Sequence, residues 1–163
     1  MRYSILLAAV PALLSGLLHR TQPAPRVPAT AEAGAAIFPR GEWAPAAHFT
    51  GAVYVYPLVN DDPAFNCVSG NVTFEPGARS NWHSHAAGQI LLITSGLGYY
   101  QERGQPIRLL RKGEVVRARP GVEHWHGASP RQGMTHIAIN VNTEKGIVTW
   151  QRPVTDQEYN RYK

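Results

Sequence analysis

The sequence contains little of what would hold a chain together through covalent links or anchor it in a bilayer. Cys67 is the single cysteine among 163 residues, so the chain cannot form an intrachain disulfide. We interpret Cys67 as a small buried hydrophobic residue, with a catalytic thiol as the alternative. The longest apolar run, residues 5–18, is shorter than the roughly 20 residues that a membrane-spanning helix needs. These absences exclude a disulfide-stabilised scaffold and predict no stable membrane insertion of the folded part.

Net charge is also small once the N-terminus is set aside. Of 16 Lys and Arg against 11 Asp and Glu, Arg2, Arg20 and Arg26 precede residue 32, which leaves 13 against 11. A local basic cluster consists of Arg108, Arg111, Lys112, Arg117 and Arg119. No aromatic residue is interleaved for base stacking. We therefore interpret the cluster as a solvent-exposed outer strand face and predict no nucleic-acid partner.

The N-terminus has the features of an export signal. Arg2 precedes the apolar run, and the small residues Ala29 and Ala31 flank Thr30 as at a cleavage site. We predict a signal peptide and the start of a linker at 1–31, a linker or N-terminal arm at 32–48, and the folded domain at 49–163. The protein is then exported to the periplasm or secreted, with an uncleaved N-terminal anchor as the alternative.

The remainder of the chain is typical of a small all-β protein. Fifteen glycines and thirteen prolines interrupt short runs of β-forming residues, which favours an antiparallel sandwich or barrel. The predicted strands are Gly51–Pro57, Val68–Pro76, Gln89–Thr94, Leu97–Glu102, Ile107–Leu110, Glu114–Ala118, His124–Ala128, Met134–Val141 and Gly146–Trp150. Only residues 155–162 have a helical pattern, where Thr155 and Glu158 have the spacing of a capping box.

Five of the seven histidines fall on three strand-like segments, namely the run that approaches a strand from the Pro76-Gly77 turn and the predicted strands that begin at His124 and Met134. They are His83, His85, His124, His126 and His136. Side chains two apart on a strand share a face, so each pair points to one side, and a single barrel interior would enclose all five. A buried imidazole without a partner costs about 1–3 kcal/mol, so a metal ion is the economical explanation. Imidazole ligands suit Mn, Fe, Co, Ni or Zn better than Ca or Mg.

The spacing of these residues resembles the cupin family. The first motif is Gly77-(x5)-His83-x-His85-(x3)-Gln89-(x6)-Gly96, and the second extends from Gly113 through Pro120-Gly121-(x2)-His124. The resemblance implies a single-domain jelly-roll β-barrel with one divalent transition metal, for which the ligands would be His83, His85, Gln89 and His124. Two positions depart from the family: Gln89 replaces the usual Glu, and Ala128 replaces a frequent Asn.

The neutral Gln89 changes what the implied ion would do. Three imidazoles and an amide leave the full +2 charge on the ion, whereas a glutamate would reduce it. Such an ion is a stronger Lewis acid and is less suited to oxygen activation. The alternatives are that Gln89 is simply a tolerated ligand, or that the site holds little metal.

Within the cupins, several segments resemble the small bacterial cupin hydroxynitrile lyases. They are VTFEPGAR (72–79), WHSHAAGQ (82–89), PGVEHWHGASP (120–130), MTHIAI (134–139) and VTDQEY (154–159). This resemblance implies a manganese-dependent enzyme that cleaves an (R)-cyanohydrin such as mandelonitrile to an aldehyde and HCN. His126 or His136 would be the base while the other binds cyanide or orients the substrate. Gly70, Val72 and Asn140 would line the pocket.

Other interpretations stay open. The protein could instead be another metal-dependent cupin enzyme (a decarboxylase, isomerase, cyclase or dioxygenase) or a non-catalytic metal- or ligand-binding module of the cell envelope. Trp82 and Trp125 have the opposite strand parity to the ligands, so we expect them outside the barrel at a subunit interface of a homodimer or homotetramer. The expected ligand is a small-molecule substrate. His19 and His48 receive no role.

Overall fold

Two sheets of antiparallel strands form the fold, because alternating apolar residues give each strand one face to bury. The computed structural model describes residues 36–62 and 64–162. The predicted signal peptide, its cleavage site and residues 32–35 lie outside the described residues. Among those described, no helix has the length and apolar character needed to cross a membrane.

The strands follow the predicted positions closely, with a few short additions. They are β1 Glu42–Trp43, β2 Phe49–Thr50, β3 Val53–Asp62, β4 Cys67–Phe74, β5 Arg79–Ser80, β6 His83–Ser84, β7 Gln89–Glu102, β8 Arg108–Arg111, β9 Val115–Ala118, β10 His124–Ala128, β11 Met134–Val141 and β12 Thr149–Trp150. A short 3-10 helix covers Thr143–Lys145, and helix α1 covers Asp156–Tyr159. The predicted all-β barrel with one short C-terminal helix is confirmed.

Strand β7 joins the two sheets. Its first half pairs with β11 and β9, and its second half pairs with β10 and β8. The sequence predicted two strands separated at Ser95-Gly96, but the chain continues as one strand of 14 residues. Gly96 lies at the bend with φ of 78°, and a side chain there would collide with the carbonyl oxygen of Gly133. The absence of a side chain therefore lets β7 cross between the sheets without a break.

The inward faces agree with the predicted parity. Gln89, Leu91 and Ile93 of β7 are buried while the residues between them are only partly buried. On β11 the buried residues are Met134, His136 and Ala138. The apolar members of these rows join Phe74, Val53, Leu110 and Val116 in the main core. The polar members, Gln89 and His136, therefore lie inside a hydrophobic wall.

A second hydrophobic cluster lies on the outer face of the sheet that contains β10. Trp82 and Trp125 are 3% and 0% exposed and pack with Tyr99, Val154 and Tyr159. Their expected position outside the barrel is correct, but the expected subunit interface is wrong for these rings. The chain's own C-terminal segment covers them. The assembly state stays a prediction.

The C-terminal segment is fixed by polar contacts as well. Thr155 and Glu158 form the predicted capping box, and Arg152 lowers the pKa of Glu158 to about 2. Buried Arg79 donates to the carbonyl of Val154 and to the Asp156 carboxylate. These contacts hold α1 against the barrel although it is one turn long.

The basic cluster on β8, β9 and their flanking turns is exposed at all five positions. This matches an outer strand face. Cys67 is partly buried at the start of β4 and has no disulfide partner.

Tyr159→Phe tests how strongly the C-terminal segment contributes to the fold. The Tyr159 hydroxyl donates to the Ala128 carbonyl at 2.7 Å, and its loss leaves that buried oxygen without this donor. We expect the free energy of unfolding to fall by about 1–2 kcal/mol in urea titration. Tyr162→Phe is the matched control, since Tyr162 is 39% exposed and should change stability little. Equal effects of the two variants would contradict the argument.

Candidate metal centre

Three histidines meet where β6 and β10 pair. His83 on β6 lies directly opposite His124 on β10, and His85 follows two residues later. One ring nitrogen from each of the three lies within 4.8 Å of the others. The residues are 1%, 4% and 0% exposed, in the order His83, His85, His124. This group could hold a metal ion.

Backbone carbonyls fix the orientation of all three rings. The Nδ1 atoms of His83, His85 and His124 lie 2.9, 2.6 and 3.0 Å from the carbonyl oxygens of Asn81, Ile147 and Val122. A carbonyl oxygen can only accept, so each Nδ1 is the protonated nitrogen. Each Nε2 then has a free lone pair, which is the form in which a neutral imidazole binds a metal.

Gln89 adds a fourth acceptor to this group. Its amide nitrogen donates to Asn140 Oδ1 at 3.1 Å, which directs its amide oxygen to within 3.2 Å of His124 Nε2. Two lone pairs therefore face each other, and the buried Nε2 of His85 has no hydrogen-bond partner. A cation between these atoms would satisfy them, so the donor set fits a first-row divalent ion. The sequence placed Asn140 in the pocket but did not indicate this contact with Gln89.

Burial keeps the three histidines neutral. It lowers the pKa of His124 to about 4 and the pKa of His85 below its usual value. The pKa of His83 is lowered well below its usual value by burial first and by the neighbouring His124 second. Neutral imidazoles are the competent ligands at neutral pH.

His126 and His136 complete the five-histidine cluster. His126 follows His124 by two residues on β10, and His136 projects from β11; their ring centroids are 4.8 Å apart. His126 Nδ1 and both ring nitrogens of His136 are buried without a hydrogen-bond partner. Burial lowers the pKa of His126 well below its usual value and that of His136 to about 4. Both are therefore neutral and available to exchange a proton.

These histidines border a cavity whose space, including its open mouth, is about 430 Å³. This falls within the range of small-molecule pockets. Of the three predicted pocket residues, Val72 and Asn140 lie on its wall. Gly70 does not; it lies further along β4, opposite Ala138.

The mouth of the cavity comes from segments to which the sequence assigned no function. Phe49, Ile147, Val148 and Trp150 line the cavity and are partly exposed, as expected at its mouth, whereas Ala138 on β11 lines it from the core. The Trp150 ring lies 4.9 Å from that of His83, and His48 stacks on its other side at 4.4 Å. No motif marks these positions. The pairing of Trp150 with His83 in β12 and β6 brings them to the site, and periodicity cannot predict that pairing.

Comparison with known proteins identifies the same region. A family model described as a cupin domain (Cupin_2) matches residues 70–139. An (R)-mandelonitrile lyase of Granulicella tundricola is 45% identical over 118 residues, which cover 72% of this chain and 89% of that protein. A cupin-like protein of Thermotoga maritima has a TM-score of 0.77 and 47% identity over 79% of this chain and 98% of that one. A DMSP lyase of Ruegeria pomeroyi shares the fold alone. Its TM-score is 0.55, and it is 18% identical over 71% of this chain and 64% of that one.

Removing one ligand should abolish metal binding, and removing a neighbouring histidine should not. We expect His124→Ala to lose bound metal, because the three-nitrogen group is then incomplete. His126→Ala is the matched control from the same strand, and it should retain about one equivalent of metal by elemental analysis after gel filtration. Full occupancy in His124→Ala would contradict the assignment.

The metal-free protein should lose stability in mild acid. A histidine whose folded pKa lies below its unfolded value stabilises the fold fully above about pH 6.5, and this contribution is lost as the pH falls towards 4. For His136, with a folded pKa of about 4, the loss at pH 5 is about 2 kcal/mol. Between pH 7 and pH 5, the free energy of unfolding of His136→Leu, measured by urea titration, should fall by about 2 kcal/mol less than that of the unmodified protein. Parallel pH profiles would exclude a buried neutral His136.

Proposed function

This chain belongs to the cupin family, and we propose that it is a metal-dependent lyase which cleaves (R)-cyanohydrins reversibly to an aldehyde and HCN. The observation that supports this most is that five buried neutral histidines form two groups at one cavity. Three direct their lone pairs to one point, and two keep unpartnered nitrogens beside the same cavity. The similarity to a protein named (R)-mandelonitrile lyase supports the same reaction class.

His83, His85, His124 and the amide oxygen of Gln89 would hold the ion. We propose Mn(II), with Fe, Ni, Co and Zn as alternatives. When bound, the ion supplies Lewis-acid stabilisation for the negative charge that develops on the substrate oxygen. The four protein groups are all uncharged, so none of them reduces the ion's charge. This supports a redox-neutral bond cleavage better than oxygen activation.

The proton transfers fall to His126 and His136. One of them accepts the hydroxyl proton of the cyanohydrin, the C–C bond to the nitrile breaks, and its electron pair leaves with cyanide. The aldehyde C=O forms from the remaining oxygen, and cyanide takes up a proton to leave as HCN. Burial lowers the pKa of both histidines, so each starts neutral and able to accept a proton.

Apart from Gln89 and Asn140, the cavity wall beyond the histidines is apolar. Phe49, Val72, Ile147, Val148 and Trp150 surround the space, so it would take the carbon skeleton of an aryl or alkyl cyanohydrin and exclude water from the reacting atoms. Export of the protein and its assembly into a homodimer or homotetramer are separate proposals, based on the sequence alone.

The activity test uses the protein loaded with Mn(II) and racemic mandelonitrile. We expect cyanide release above the buffer rate, with preferential consumption of the (R) enantiomer on a chiral column. His126→Ala and His136→Ala should retain metal but lower kcat by about 10²–10⁴-fold, whereas Tyr162→Phe, on the far side of the sheet, should match the unmodified protein.

Three outcomes would overturn the lyase proposal or part of it. Metal binding without cyanide release or enantiomeric preference would favour a different cupin enzyme or a binding module. Equal rates with and without a chelator would exclude a role for the ion. Full activity of both histidine variants would remove them from the mechanism.

A further inference from the structure

We propose that Asn81 is a positioning residue that couples the two walls of the cavity mouth to the metal ligand His83. The inference rests on the metal site proposed above. Asn81 lies at a variable position of the first motif, precedes β6 and is 4% exposed. It is therefore a buried polar residue whose hydrogen bonds account for its position.

The main chain of Asn81 acts on the ligand. Its carbonyl oxygen lies 2.9 Å from His83 Nδ1 and fixes the tautomer that leaves Nε2 free. Its amide nitrogen donates to the carbonyl of His48 at 2.9 Å. The residue whose carbonyl orients His83 is thus hydrogen-bonded to the N-terminal arm through its main-chain amide.

The side chain of Asn81 connects two segments that are distant in sequence. Its Nδ2 donates to the carbonyl of Ala47 at 3.0 Å and to the carbonyl of Gln151 at 3.3 Å. An amide has two N–H donors, so one group satisfies both carbonyls. One of these carbonyls belongs to the N-terminal arm and the other to the chain just after β12.

The two connected segments lie next to each other at the mouth. Phe49 follows Ala47 by two residues, Trp150 precedes Gln151, and both line the cavity. The rings of Phe49 and Trp150 lie 5.5 Å apart, edge to face. Without the Asn81 side chain the two segments lose their shared hydrogen-bond donor. The residue whose carbonyl orients His83 then loses its side-chain restraint, although its main-chain bond to His48 remains.

His124 provides an internal comparison. Its Nδ1 partner is the carbonyl of Val122, in a turn where the Val122 amide bonds back to Arg119. The turn has one side-chain link to the mouth segments, from Gln151 Nε2 to Glu123 Oε1 at 2.8 Å, but Asn81 does not supply the carbonyl that orients His124. A change at Asn81 should therefore disturb the orientation of His83 more than that of His124.

A purely structural role for Asn81 predicts a different result, and Asn71 is the matched control for it. Asn71 is 3% exposed and donates from Nδ2 to Pro39 of the same arm at 3.3 Å, but it does not contact a ligand-orienting carbonyl. Asn71→Ala and Asn81→Ala should both lower the melting temperature of the metal-free protein. Only Asn81→Ala should change the metal site.

The decisive measurement is the Kd for Mn(II) by competition titration on the full chain, with the EPR spectrum of the bound ion. Loss of a group that orients a ligand typically weakens metal binding by about 10–100-fold, and we expect that range for Asn81→Ala with an altered EPR spectrum. Asn71→Ala should remain within about twofold of the unmodified protein, as a change remote from the ligands should. If Asn81→Ala does not fold, Asn81→Ser replaces it in the titration. Serine keeps one donor on a shorter side chain, so Asn81→Ser should weaken Mn(II) binding less than Asn81→Ala.

Each outcome decides a separate point. An unchanged Kd and EPR spectrum in the folded Asn81 variants would overturn the positioning role, whatever their melting temperature. Equal weakening by Asn71→Ala would show a general effect of the arm and would also overturn it. Absence of cyanide release by the metal-loaded unmodified protein would overturn the lyase proposal alone, whereas failure of that protein to bind metal would overturn both.

Discussion

The burial of five neutral imidazoles in one end of an apolar barrel is the constraint on which the rest of this structure depends. Each ring brings one donor and one acceptor out of water, and an unmatched buried group is costly. Three backbone carbonyls accept the Nδ1 protons of His83, His85 and His124. The remaining lone pairs converge with the amide oxygen of Gln89, where a cation would be their common partner.

The positions of those carbonyls explain why the site includes more than the histidine strands. Two of them lie two residues before the histidine they orient, but the carbonyl for His85 comes from Ile147 in the segment after β11. The same segment supplies Val148 and Trp150 to the mouth. Ligand orientation and pocket shape are therefore linked through one stretch of chain. A substitution that moves this stretch would be expected to affect metal binding and substrate fit together.

The outer side of the same sheet has a complementary role. Trp125 lies between the candidate ligand His124 and His126 on β10, with its ring on the opposite face, where it packs with Trp82, Val154 and Tyr159. Its indole nitrogen donates to the side chain of Gln101 at 2.8 Å. Because successive side chains on a strand alternate between faces, a rigid aromatic cluster on one side restrains the histidines on the other. The short C-terminal helix thereby supports the site without touching it.

The sequence by itself determined the family, the approximate positions of most of the longer strands, the inward parity of the histidines, and the capping box at Thr155 and Glu158, because these depend on spacing along the chain. It also singled out Gln89 by its departure from the usual glutamate. Only the tertiary structure decided that Asn140 orients Gln89, that Phe49 and Trp150 line the mouth, that Gly70 lies off the cavity wall, and that the chain's own C-terminus covers Trp82 and Trp125. These contacts join residues distant in sequence, such as Gln89 and Asn140, and local periodicity contains no information about which strand faces which. The pairing of strands in three dimensions supplies it.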